Sequence, residues 1–216
     1  MKLELETYTP SEAEEITGVK QSTVRNWRRA EYLPRRKGHA RYNIGDLLVM
    51  FVMGQMVARG TTPETAKDFA SHAARAVFQS TIWHKQAFAD CVHSAAKEEV
   101  GKVSGEQLGR FAEIEPEKEK VRELTQDAYR QKAMAEAAEK LAGISGLKCP
   151  TWFIIWANSE IQFYHDEDIS EETFFGNTVF DEFVEGPVTL FCLGAMAGMF
   201  IRRLPRPAIK LAEDQS

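Results

Sequence analysis

Apolar positions recur at intervals of three and four along most of this chain, giving way after residue 146 to short β-branched and aromatic runs. The first helical pattern has a sharp start. Thr9-Pro10-Ser11-Glu12 supplies an N-cap, a proline at the first helical position and a glutamate at N3. The helix it opens, Pro10 to Ile16, is predicted to bury Ala13 and Ile16 and to stop at Thr17-Gly18, where glycine accepts a positive φ. A second helix is predicted from Lys20 to Arg29. Val24 and Trp27, three apart, share one face, while Arg25, Arg28 and Arg29 project from another. Two short helices joined by Thr-Gly-Val make a helix-turn-helix. Tyr32-Leu33-Pro34 ends that pattern, and RRKGHARY reads as a small basic hairpin with Gly38 at its tip. Asn43 can cap a third helix, Ile44 to Arg59, with Leu47, Leu48, Phe51, Val52 and Met56 as its apolar stripe. Thr62-Pro63-Glu64 opens a fourth, running towards Ser80.

From about 81 to 142 the period stays helical but the composition grows polar, with a Gly-Lys-Val-Ser-Gly break at 101–105. Val121, Leu124, Ala128, Met134, Ala137 and Leu141 form a thin stripe on a long charged segment, which suggests packing on a single neighbour such as a second subunit. Thr151 to Asp166 reads as a β-hairpin turning at Asn158-Ser159. An acidic turn, a helix around Glu171 to Val184, a strand in VTLFC and a closing helix in GAMAGMFIRRL complete the pattern. The expected fold is mostly α: an N-terminal winged helix-turn-helix (1–75), a helical middle for linkage or dimerisation (76–146) and a small C-terminal α+β unit (147–216).

Charge changes this picture more than composition does. At 44% hydrophobic and 27% charged residues, the chain has the make-up of an ordinary globular protein. Its formal net charge of -5 does not point to a nucleic acid. Between Lys20 and Tyr42, however, eight basic residues face one acid, Glu31, for a local +7, which leaves -12 on the remainder. Charge runs on solvated faces are normally mixed in sign; this one is not, and it coincides with the helix-turn-helix punctuation.

Other chemistry is thin. Cys91, Cys149 and Cys192 are odd in number and far apart, which fits a reducing cytoplasm and argues against a disulfide framework or zinc ribbon. Cys91 and His93, two apart on a helix, point in different directions. His165 with its acidic neighbours reads as a solvated turn. The aromatic hairpin residues Trp152, Phe153, Trp156, Phe163 and Tyr164 either pack a core or line a ligand pocket. No Gly-rich phosphate loop, nucleophile elbow or HExxH occurs, so neither catalysis nor a cofactor or metal is expected. The longest apolar run, Pro187 to Ile201, falls short of the roughly 20 residues a membrane helix needs, and no membrane partner is expected.

Set side by side, Tyr8-Thr9, Thr17-Gly18-Val19, Thr23-Val24-Arg25-Asn26-Trp27, Leu33-Pro34, Arg41-Tyr42 and Asp46-Leu47 resemble, in their order and spacing, the winged-helix DNA-binding domain of the MerR family of transcriptional regulators. The resemblance covers about a third of the chain. It implies a DNA-binding dimer whose recognition helix enters the major groove, with Arg25 facing the groove and Arg41 making a wing contact. Asn26 and Trp27 stand where the family usually has two tyrosines, the wing is compressed, and the paired cysteines of metal- or redox-sensing members are missing.

The expectation is a cytoplasmic transcriptional regulator that binds double-stranded DNA as a homodimer and is not an enzyme. Lys20, Ser22, Thr23, Arg25, Arg28 and Arg29 would form its recognition surface, with Arg35, Arg36, Lys37, Arg41 and Tyr42 as the wing contacts. Tyr42 fits either wing packing or a phosphate hydrogen bond. Guanidinium groups suit the task because they fork onto guanine O6/N7 or clamp phosphate oxygens. Two rival readings stay open: an architectural DNA-binding protein of recombination or phage DNA packaging, and a sensor whose C-terminal unit takes a small-molecule or protein effector.

Overall fold

The computed structural model describes residues 1–34, 40–100, 118–166, 186 and 188–212, with side chains in the helix that starts at 118 described from 123 onward. The wing tip (35–39), the break at 101–105 and the helix expected around Glu171 to Val184 lie outside the described residues. The protein is mostly α-helical, with small sheets. It forms two compact units, one of Thr7–Thr81 and Leu147–Pro205, the other of Met1–Glu6, Ile82–Gly146 and Arg206–Ser216. Each gathers segments far apart in sequence.

In the first unit, α1 (Pro10–Thr17), α2 (Gln21–Arg29), α3 (Ile44–Val57) and α4 (Pro63–Thr81) follow one another. Two of the three helix starts marked in this stretch of sequence are present as reciprocal capping boxes. Thr9 and Glu12 close α1, and Asn43 and Asp46 close α3, with bonds of 2.7–3.3 Å. The sequence stripe understates the burial of α3. Ile44, Met50 and Met53 are buried as well, so the helix is apolar nearly all round and serves as the unit's core.

The reason lies late in the chain. β2 (Trp152–Ile155), β3 (Ile161–Tyr164) and β4 (Thr189–Cys192) form an antiparallel sheet ordered β3-β2-β4, and α7 (Leu193–Ile201) leads straight out of β4. Phe200 of α7 meets Phe51 of α3 with ring centroids 5.6 Å apart. Phe153 stacks on Phe191 at 4.2 Å, and Phe163 lies 4.5 Å from the His72 ring of α4. Phe153 therefore serves the core, with the half-buried Phe163 ring 5.6 Å from it. On the other side of the sheet, Trp152 donates to Asp166 and Trp156 to Gln162, whose amide oxygen also accepts from the Tyr164 hydroxyl. Burial raises the pKa of that phenol above its ordinary value.

The second unit pairs α5 (Asp90–Val100) with the long helix α6 (Lys118–Ala142). It also contains two strands that the hydrophobic pattern did not predict. β1 (Leu3–Leu5) runs antiparallel to β5 (Ile209–Leu211), matching Glu4 with Lys210. Lys210 bonds Glu4 at 3.1 Å and lies 3.4 Å from Glu6, and both carboxylates hold its pKa above the ordinary lysine value. Among the described residues, no helix is long and apolar enough to cross a membrane.

Candidate nucleic-acid interface

Helix α2 is short, and its orientation rests on two anchors. Val24 and Trp27 are buried against its neighbours. Ser22, Arg25, Asn26 and Arg29, at helical intervals from one another, are exposed on the opposite side. The turn before α2 is held from several directions. Gly18 adopts φ 74°, and its N–H bonds the Glu14 carbonyl at 2.8 Å. The Thr17 hydroxyl donates to the Ala13 carbonyl and accepts from the Val19 N–H.

Three features of this turn escaped the sequence reading. Gly54 of α3 lies so close beneath it that a Cβ there would come within 2.6 Å of Val19 Cγ2. A glycine inside a helical pattern is a signal for such a close approach. Glu14 accepts from the first N–H of α2, on Gln21, at 3.3 Å, leaving the N–H groups of Ser22 and Thr23 without a partner among the described residues. The start of α2, where free N–H groups would suit an anion, is thus partly occupied by the protein's own carboxylate. Third, Arg203, just past α7, donates to the Ile16 carbonyl at 3.3 Å and sets its guanidinium over the Phe51 ring. It satisfies a carbonyl at the end of α1 from 187 residues away.

The predicted contact residues fall into distinct environments. Lys20, Ser22, Arg25 and Arg29 are exposed, and Thr23 is half-buried. Among the described residues, Lys20, Arg25 and Arg29 form no ion pair. Arg28 does not project with them. Its guanidinium lies 5.0 Å from the Tyr42 ring centre, and its Nε is buried without a hydrogen-bond partner. Tyr42 is only 4% exposed and exchanges backbone hydrogen bonds of 2.8 and 3.0 Å with Tyr8. That burial fits packing at the base of the wing better than a phosphate contact. Arg41 beside it is exposed; Arg35, Arg36 and Lys37 lie outside the described residues.

A capped helix, a glycine turn, a two-anchor basic helix and a paired strand base thus occur in order within one short segment. Residues 8–73 match the model of the MerR HTH family of regulatory proteins. No curated protein and no solved structure matches the chain. The match ends within α4, and it supports a DNA-binding transcription regulator. Arg203 and the sheet that flanks α4 lie outside the matched segment.

Proposed function

We propose that the protein is a sequence-specific regulator of transcription that places α2 in the major groove of double-stranded DNA and acts as a homodimer. The observation that carries this reading is the row of exposed cations, Lys20, Arg25 and Arg29, unpaired among the described residues, on a helix fixed from behind by Val24 and Trp27. Unneutralised guanidinium groups on a rigid support are suited to fork onto guanine edges or phosphate oxygens. Arg28, drawn back over Tyr42, supports the wing base in this reading, and the wing from 35 to 42 follows the flanking backbone. The homodimer is supported by α6, where Leu124 is 64% exposed and lines a shallow groove of about 410 Å³ with Thr125, Ala128, Tyr129 and Lys132.

The test is a fluorescence titration on a cognate site obtained by genome-wide binding-site mapping. Arg25→Ala is expected to cost about 1–3 kcal/mol of binding without shifting the denaturation midpoint. An Arg25→Ala protein that binds as tightly as the parent removes α2 as the reader.

A further inference from the structure

An open groove of about 360 Å³ runs along the turn before α2, between the start of that helix and the end of α3. Lys20, Thr23, Gly54 and Gln55 line it, and so does Arg203, which follows α7. All of these residues belong to one unit. Two of the lining side chains are cations and none is a carboxylate. Both cations are exposed, and among the described residues neither forms an ion pair.

The two cations are held differently. Lys20 is the N-cap of α2, and its side chain makes no capping bond. Arg203 is anchored: its Nη1 donates to the Ile16 carbonyl at 3.3 Å, and its guanidinium lies 5.7 Å from the Phe51 ring centre. The same Nη1 stands 3.8 Å from where a Cβ on Gly18 would be, so the charge sits at the turn itself. A guanidinium fork offers more N–H donors than one carbonyl uses, and those left over have no acceptor among the described residues. Arg203 also comes from outside the Lys20–Tyr42 run, from the part of the chain whose formal charge sums to -12. A cation brought from that acidic remainder to the edge of the basic helix, and left unneutralised there, is suited to a polyanion that lies along both.

We infer that Arg203, together with Lys20, clamps a phosphate of the DNA backbone beside the turn. The C-terminal helix would then add a contact that the helix-turn-helix and wing do not supply. This inference rests on the DNA-binding reading given above. A pre-oriented guanidinium meets a phosphodiester through paired N–H donors, and Lys20 adds a point charge in the same groove. Such a contact fixes how the protein sits on the duplex and reads no base.

Fluorescence titration of the full chain against a mapped site and an unrelated duplex, over a range of salt, tests the clamp. Arg203→Ala should weaken binding to both duplexes by the same factor. It should also lower the slope of log K against log salt by about 0.9. Its deficit should therefore narrow about 3.5-fold between about 50 and 200 mM salt. Arg203→Lys, which keeps the charge, should restore the slope even where the bond to Ile16 is lost. Arg202→Ala, one residue away and outside the groove, should leave the slope as it was. Should Arg203→Ala fail to fold, Arg203→Gln, which keeps an amide donor for Ile16, is read in its place.

A slope unchanged in Arg203→Ala, whatever happens to affinity or to the denaturation midpoint, reduces Arg203 to a packing residue and overturns the clamp. Equal slope changes for Arg202→Ala and Arg203→Ala overturn it as well, since net charge alone would account for both. Arg25→Ala separates the two proposals. If it leaves binding intact while Arg203→Ala lowers the slope, α2 fails as the reader and the clamp stands. If it weakens binding while Arg203→Ala leaves the slope alone, the clamp fails and α2 stands. A parent protein that binds neither duplex overturns both.

Discussion

Helices α2 and α6 are both rich in charge, yet they use it in opposite ways. On α2 the exposed charges are cations, and Lys20, Arg25 and Arg29 find no counter-ion among the described residues. On α6 the signs are mixed, and among the described residues Asp127 pairs with Arg130 at 3.0 Å and Lys132 with Glu136 at 3.7 Å. The exposed apolar side chains follow the same division. The apolar residues of α2 are both buried, whereas α6 leaves Leu124 and Leu141 in solvent. A helix that pairs its own charges and shows leucine is equipped to meet another protein. One that hides its apolar side and leaves a single sign of charge open is equipped to meet a polyanion. Charge content alone does not separate the two; pairing does.

The largest way to break this contrast is to remove what holds α2 in place. Trp27→Ala should cost about 3–5 kcal/mol of stability, read from urea denaturation, because it empties a closed packing site. A loss below 1 kcal/mol would mean that α2 is not fixed by its buried face. Next in size, Leu124→Glu should weaken self-association by about 2 kcal/mol in sedimentation equilibrium if α6 is the subunit contact. An unchanged assembly would leave that leucine without the role given it here. Arg29→Ala sharpens the other side of the comparison. It should lower the dependence of log K on log salt by about 0.9, one released counterion, and weaken binding across DNA sequences alike. Smallest is Lys132→Ala, expected to cost about 0.3–0.5 kcal/mol at low salt, because both partners of that i,i+4 pair are exposed. Its effect should fade as salt is added, while DNA affinity stays as it was.

What the sequence disclosed, it disclosed through local chemistry. The capping boxes at Thr9 and Asn43, the glycine turn at Gly18 and the two anchors of α2 each depend on residues within a few positions of one another, and all are present. The features that stayed hidden depend on distant partners. β1 and β5 are three residues long, and the alternation of Leu3 and Leu5 with Glu4 and Glu6 acquires meaning only beside Lys210. The all-round burial of α3 follows from Phe200 and its helix, and the retreat of Arg28 from the exposed row follows from the position of the Tyr42 ring. A sequential division into three segments could not foresee that the C-terminal sheet groups with the helix-turn-helix and the last strand with the first.

The bond from Arg203 to Ile16 carries a lesson for anyone wishing to borrow this domain. The stretch that matches the MerR-type family ends at residue 73, but the carbonyl that ends α1 and the aromatic side of α3 are covered by residues from 200 onward. A fragment cut at the edge of the match would carry every residue proposed for the recognition helix and wing. It would also expose Phe51 and lose the Arg203 cap on α1. A portable DNA reader made from this chain would therefore have to bring its C-terminal helix along, or be given a new residue to do what Arg203 does.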